Sequence, residues 1–288
     1  MKTSIFIISL LLFNHFIFSQ EKQKTSREDW YEPQPYGFVF VPQGSFQDTT
    51  FVNKDTIIQT LTVAPFWMSN EITNKEYRDF VTYLNTNPTD SLCYYDWKKI
   101  SKENSGYSKI DKNKYRVCKV NKDIVRNIID TLAIKKDKPE YVNYFNNKKY
   151  DEFPVVGVSF KGATYFCIWK TKSETDKGSK INDYRLPVVE EWKYARTLAQ
   201  KEKNNKNEGL QKSVSGIKNE LKLYNLSGNV SEWTSSAPDS TSEDKRIIMG
   251  GSWKTKPDMY EKSMVDKKTL SSSVGFRLVR SFGLGSNK

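Results

Sequence analysis

The sequence predicts a mixed α+β fold with much irregular structure, and three observations carry that prediction. Helix signals recur, each a capping residue or acidic first turn followed by apolar residues at helical spacing. Between and after them lie short apolar runs of strand length, split by Gly, Pro and Asn. No internal repeat of about 20–50 residues is present, which excludes solenoids and propellers. The 288 residues fit one large domain or two small ones, at roughly 100–200 residues per domain.

Taken in order, Phe38 to Val41 reads as a buried strand stopped by Pro42 and the Gln43-Gly44 turn. Thr60 to Val63 alternates like a second strand before Pro65. From Glu71 to Val81 the pattern is helical. Thr73 can cap with Glu76 three residues on, Tyr77, Phe80, Val81 and Leu84 share one face, and Asn87-Pro88 ends the run. Residues 90–149 are dense in Lys, Asn, Asp and Tyr with weak periodicity, and read as an insertion with a few short elements. Order resumes at Phe153 to Phe160, where Ser159 can cap a helix running through Tyr165, Phe166 and Trp169. A third helix follows Tyr184 to Pro187, with Glu190 and Glu191 in its first turn, where the helix dipole favours anions. Gln200 to Lys222 reads as a solvated loop. Leu223 to Trp233, Ile247 to Trp253 and Gly275 to Val279 read as strands and turns.

The first residues bear on compartment. Lys2 precedes an apolar run from Ile5 to Phe18, Ser19 suits the position before a cleavage site, and polar residues follow. This pattern predicts a secretory signal peptide over residues 1–19, then a linker over 20–36. No Cys lies at that junction, and no later run reaches about 18 apolar residues, so neither a lipid anchor there nor a membrane span is expected. The expected location is the periplasm or the outer-membrane periphery, with no nucleic acid as partner. The formal charge of +12 favours anionic partners, although the lysines are scattered rather than striped, as on a solubilising surface.

The single histidine, His15, lies in the segment to be removed. The mature chain then offers no imidazole for metals or nucleophile activation, which excludes His-based chemistry, and with three cysteines and no C-x-x-C the ligand count excludes zinc. Of the three cysteines, Cys167 sits in an aromatic helical stretch and reads as a core thiol. Cys93 and Cys118 fall in one polar region and can pair, a matter of geometry that spacing leaves open.

Seven segments now stand in a telling order: Phe40 to Phe46, Pro65 to Tyr77, Pro154 to Phe160, Arg185 to Trp192, Gly228 to Trp233, Gly250 to Trp253, and Gly275 to Arg277. Together they resemble the formylglycine-generating-enzyme, or sulfatase-modifying-factor, family across most of Tyr36 to Ser281. The resemblance implies a C-type-lectin-like single domain over 37–282, with a short tail at 283–288. The glycines, Trp192, Trp233, Trp253, Arg185 and Arg277 read first as fold determinants, the two arginines as buried partners of Glu191 or Glu232. The family's oxidases bind copper through two close cysteines between the Gly-Gly-Ser-Trp and Gly-Phe-Arg motifs, and Lys254 to Val274 contains none. Lys, Ser, Asp and Tyr do not replace thiolates for a soft Cu(I) ion. Another branch uses iron held by histidines, which are also missing. No cofactor for catalysis is therefore expected.

Asn143 to Phe145 and Tyr150 to Ser159 resemble the gliding-motility lipoproteins J and K of Bacteroidetes, which belong to the type IX secretion machinery and also carry an insertion before this stretch. The chain is shorter and lacks their anchor Cys, so the resemblance implies an exported, non-catalytic accessory of secretion or gliding, with envelope proteins as partners. The alternative readings are a module binding glycan, peptidoglycan or another anionic envelope polymer through the C-terminal surface and, last, a formylglycine-generating-type oxidoreductase. The family's Asn-x-x-Gly-Asn-x-x-Glu-Trp loop also implies a structural calcium. Its ligands here would be the side chains of Asn225 and Glu232 and the carbonyls of Gly228 and Val230. In the competing reading Asn225 bonds turn backbone and Glu232 pairs with Arg277, without metal.

Overall fold

A computed structural model describes residues 32–52, 55–95, 116–125, 128–179, 181–199, 209–215, 221–255 and 262–283. The expected signal peptide and most of the linker lie outside these residues. The chain divides into Met1–Pro33 and Gln34–Lys288, and the architecture is that of the second unit.

Strand β1 (Phe38–Val41) pairs antiparallel with β4 (Phe66–Glu71), which pairs antiparallel with the last strand, β11 (Arg277–Ser281). The two ends of the domain thus close one three-stranded sheet. Between β1 and β4 runs a long hairpin, β2 (Gly44–Val52) and β3 (Asp55–Val63), in continuous register from Gly44↔Val63 to Val52↔Asp55. Sequence reading finds only the end of β3. β2 lacks an apolar run, because little of this two-stranded ribbon is covered. Phe46 is an exception, packing on Tyr194 at 5.9 Å.

Helix α1 (Asn74–Thr86) begins with the expected capping box: Glu76 N–H donates to the Thr73 hydroxyl, and Thr73 N–H donates to the Glu76 carboxylate at 2.9 Å. Its buried face, Tyr77, Phe80 and Leu84, meets helix α3 (Phe160–Thr175), where Tyr77 stacks on Phe166 at 5.7 Å. Ser159 caps α3 by accepting from Gly162 N–H at 3.1 Å. Helix α4 (Val189–Leu198) starts with Glu191 accepting from Val188 N–H. A second sheet holds β10 (Val274–Gly275), β7 (Ser231–Trp233), β8 (Lys245–Met249) and β9 (Lys262–Asp266), with the β10–β7 pair parallel.

Two of the three family tryptophans fill the core as expected. Trp192 and Trp233 are fully buried, and truncating such a ring costs about 3–5 kcal/mol. Trp253 is half-buried and belongs to the surface. The insertion, expected to hold a few short elements, also contributes to the core. Its strands β5 (Ser91–Tyr95) and β6 (Arg116–Val120) and short helix α2 (Asn121–Ile124) bring Leu92 and Ile124 into the main core, and Ile128 and Phe145 join them. These elements are short, with Leu92 on β5 and Asn121 and Ile124 on α2 buried and no buried residue on β6, so no periodicity marks them. Cys93 and Cys118 stand opposite one another on β5 and β6 and form a disulfide, and Cys167 is buried and free. Among the described residues no helix is long and apolar enough to cross a membrane.

Candidate functional site

The loop feeding β7 places three residues in the left-handed region: Asn225 at φ 55°, Gly228 at 94° and Asn229 at 56°. Asparagine tolerates this conformation better than other side-chain-bearing residues, so the Asn-x-x-Gly-Asn spacing is a backbone requirement before it is anything else. The turn carries Glu232 inward to a site that is 1% exposed.

There Glu232 is fully occupied. Its Oε1 accepts from Arg277 Nη2 at 2.5 Å, and its Oε2 accepts from Arg277 Nε at 2.6 Å and Trp192 Nε1 at 2.7 Å. Arg277 also donates to the carbonyls of Ser69 at 3.2 Å and Tyr224 at 3.0 Å. A bidentate arginine with its spare donors satisfied is the geometry in which a buried ion pair is sustainable. Next to it, Glu71 Oε2 accepts from the side-chain amides of Asn225 at 3.2 Å and Asn229 at 2.7 Å, while Oε1 is buried without a partner among the described residues. Burial, and then the neighbouring charge of Glu232, raise the Glu71 carboxyl well above the ordinary range.

The four expected calcium ligands, Asn225, Gly228, Val230 and Glu232, share one loop. The Glu232 carboxylate faces a guanidinium there, and the Asn225 amide N–H groups donate to Glu71 and to the Lys212 carbonyl. A dication on Glu232 would sit against Arg277 and Trp192 N–H, groups that repel it. Among the described residues no group of three or more His, Cys, Asp or Glu is placed to hold a metal. The copper chemistry of the family fits no better. Two cysteines are joined to each other, and burial pushes the Cys167 thiol far up, away from the thiolate a soft metal needs.

The second expected ion pair is also present: Arg185 donates to both oxygens of Glu191, at 2.7 and 2.6 Å. This pair is more exposed than the first and ties the start of α4 to the chain before it.

On the surface, the Gly-Gly-Ser-Trp segment ends in a different cluster. Lys254 Nζ lies 2.5 Å from Asp137, whose carboxylate also accepts from the Ser272 hydroxyl. Trp253 Nε1 donates to the Ser272 carbonyl at 3.1 Å, and the ammonium groups of Lys254 and Lys138 lie 5.4 and 5.7 Å from its ring. Lys254 and Ser272 hold the Asp137 carboxyl below its ordinary range. Sequence reading misses Asp137 and Lys138, because they come from the aperiodic insertion. The bulky Trp beside a Lys was the visible signal.

The fold and motif order together define the class: an α+β, sulfatase-modifying-factor-like domain. The family profile described as sulfatase-modifying factor enzyme 1-like domain matches residues 23–216 and 196–282, and the chain belongs to that family. Among solved structures it resembles CarF (TM-score 0.53, 17% identity, covering 87% of this chain and 100% of that one). It also resembles PvdO from Pseudomonas aeruginosa (0.51, 13%, 85% and 94%). At such identities the likeness is one of fold. Among curated proteins it is similar to inactive C-alpha-formylglycine-generating enzyme 2 of Bos taurus, 30% identical over 129 residues (35% of this chain, 39% of the relative). The Mus musculus protein of the same name is 29% identical over 129 residues, with 35% and 38% covered. The chain thus matches under two fifths of the length of either relative.

Proposed function

We propose that this protein is an exported, non-catalytic member of the family that serves as a docking component in the cell envelope, as an accessory of type IX secretion or gliding. One observation carries the reading. The interval from Lys254 to Val274, where the family's oxidases carry their copper cysteines, has no cysteine, and the insertion reaches over to tie its two ends together through Asp137. A segment braced by a salt bridge and a serine hydroxyl has no soft ligand to present, and it offers a half-buried Trp with two flanking lysines instead. A tryptophan at the surface is a usual anchor for a protein partner. The names of the two curated relatives, both called inactive, support the same direction.

The assignment to secretion or gliding rests on the resemblance of Asn143 to Ser159 to the gliding lipoproteins. Calcium has no part in this reading, the Arg277–Glu232 pair taking over the neutralisation that an ion would supply. Crosslinked pull-down with the full chain tests it. Enrichment of secretion or gliding components, reduced in Trp253→Ala, is the expected result, and a retained set of partners unchanged by that variant contradicts it.

A further inference from the structure

Away from both clusters, one face of α3 looks into a cleft of about 910 Å³, closed on the other side by the β5–β6 hairpin, the segment from Asn182 to Leu186, Ser235 and Ser281. That volume lies within the roughly 300–1,000 Å³ range of small-molecule sites. Phe160, Thr164, Ile168, Thr171 and Thr175 recur at helical spacing along the wall, so one face of a 16-residue helix borders the cleft, with Phe160 and Ile168 also packed against the main core.

The chemistry of the lining is specific. Its accessible rings are Tyr94, set edge-on to Tyr165 at 6.4 Å, and Phe160, held by Trp233 at 5.9 Å with the Arg246 guanidinium over it at 4.9 Å, while Tyr184, 2% exposed, backs the wall against Phe38. Many of its polar groups are hydroxyls: Thr164 and Ser235 donate to backbone carbonyls and keep lone pairs for an incoming donor, while Thr171 donates to the Cys167 carbonyl and accepts from Tyr184 N–H. Its charges cancel internally. Lys172 is held by Asp176 at 2.6 Å, Arg185 is held by both oxygens of Glu191, and Arg116 and Asp183 add one charge of each sign. Despite a formal charge of +12, the cleft is not a basic site.

We infer that this cleft binds a neutral oligosaccharide. Sugar rings present apolar faces to aromatic edges and hydroxyls to threonine and serine oxygens, and they need no net charge in the wall. A polyanion would have to compete with carboxylates already in place, at a cost in desolvation. The walls are pre-organised by the helix on one side and by the Cys93–Cys118 disulfide across the hairpin on the other, which lowers the ordering cost of binding. The inference stands apart from the docking surface at Trp253 and does not rest on it.

Titration calorimetry of the full chain with maltohexaose, cellohexaose and chitohexaose, with heparin and an unstructured peptide as comparators, tests the inference. Saturable binding of at least one neutral hexasaccharide is expected, weakened about tenfold or more by Tyr94→Ala and by the cleft-filling Thr164→Trp. Ser235→Trp, on the opposite wall, serves if Thr164→Trp does not fold, and Trp253→Ala should leave the affinity unchanged. No binding of any neutral hexasaccharide, binding indifferent to the cleft variants, or preference for heparin or the peptide overturns it.

Discussion

Two clusters on either side of the Gly-Gly-Ser-Trp segment use the same three kinds of residue and differ in almost everything else. Inside, Trp192, Arg277 and Glu232 form a closed set, with the two charged side chains 0% and 1% exposed. Outside, Trp253, Lys254 and Asp137 repeat the recipe with those side chains 35% and 38% exposed. The inner basic residue is an arginine, whose planar fork engages both carboxylate oxygens and still reaches two backbone carbonyls. The outer one is a lysine, a point charge that water can replace. The comparison separates a structural device from an accessible one: the first ties β7 of one sheet to β4 and β11 of the other, and the second leaves a half-buried ring at the surface with two lysines beside it.

Breaking the inner cluster gives the largest expected effect. Glu232→Gln or Arg277→Met leaves one buried charge unpaired, a loss of about 3–5 kcal/mol, read as a fall in the thermal midpoint. The wild-type midpoint should be the same in EDTA and in millimolar calcium, because the guanidinium already neutralises Glu232.

Gly250 and Gly251 turn the chain between the two clusters with φ of 98° and 67°. Gly251→Val forces a β-branched residue into the left-handed region, at a cost of about 2 kcal/mol or more. A Cβ at Gly250 would also lie 2.9 Å from the Trp192 ring. An unchanged midpoint in Gly251→Val would show that this turn does not need glycine.

Glu71 is the carboxylate beside the inner cluster with one oxygen buried and without a partner among the described residues. Its folded-state pKa is raised above 4.5, so its contribution is fully present below that value and is lost as pH rises through the folded pKa. Glu71→Gln should therefore gain stability over wild type as pH increases, and differ least in acid. Midpoints measured from pH 4 to 9 with a constant gap would refute this.

The outer cluster should matter least to folding. Asp137→Asn removes an exposed pair worth about 0–1 kcal/mol, and a midpoint close to wild type is expected. A large loss would mean that the brace is structural, like its inner counterpart.

How much of this was legible follows from where periodicity survives. The caps at Thr73 and Ser159 and the faces of α1 and α3 were readable because each obeys local rules in a long element. The Arg185–Glu191 and Arg277–Glu232 pairs were readable as options, since a semi-buried arginine needs a carboxylate. β2, the core contribution of Leu92, Ile124 and Phe145, and the role of Asp137 were not. β2 is a little-covered ribbon without an apolar run, and the others depend on contacts across more than a hundred residues or on elements too short to impose a period. The calcium expectation meets the same limit: a motif names residues in one loop, but Arg277, which engages the key carboxylate, enters from the far end of the chain.

The central claim is that the scaffold no longer supports the family's oxidation chemistry, and the direct measurement is formylglycine formation. The full chain, loaded with Cu(I), is incubated aerobically with a cysteine-containing sulfatase peptide, and the product is quantified by mass spectrometry. No formylglycine above an enzyme-free blank is the predicted result, since Lys254 to Val274 supplies no thiolate. Formylglycine above that blank would contradict the account.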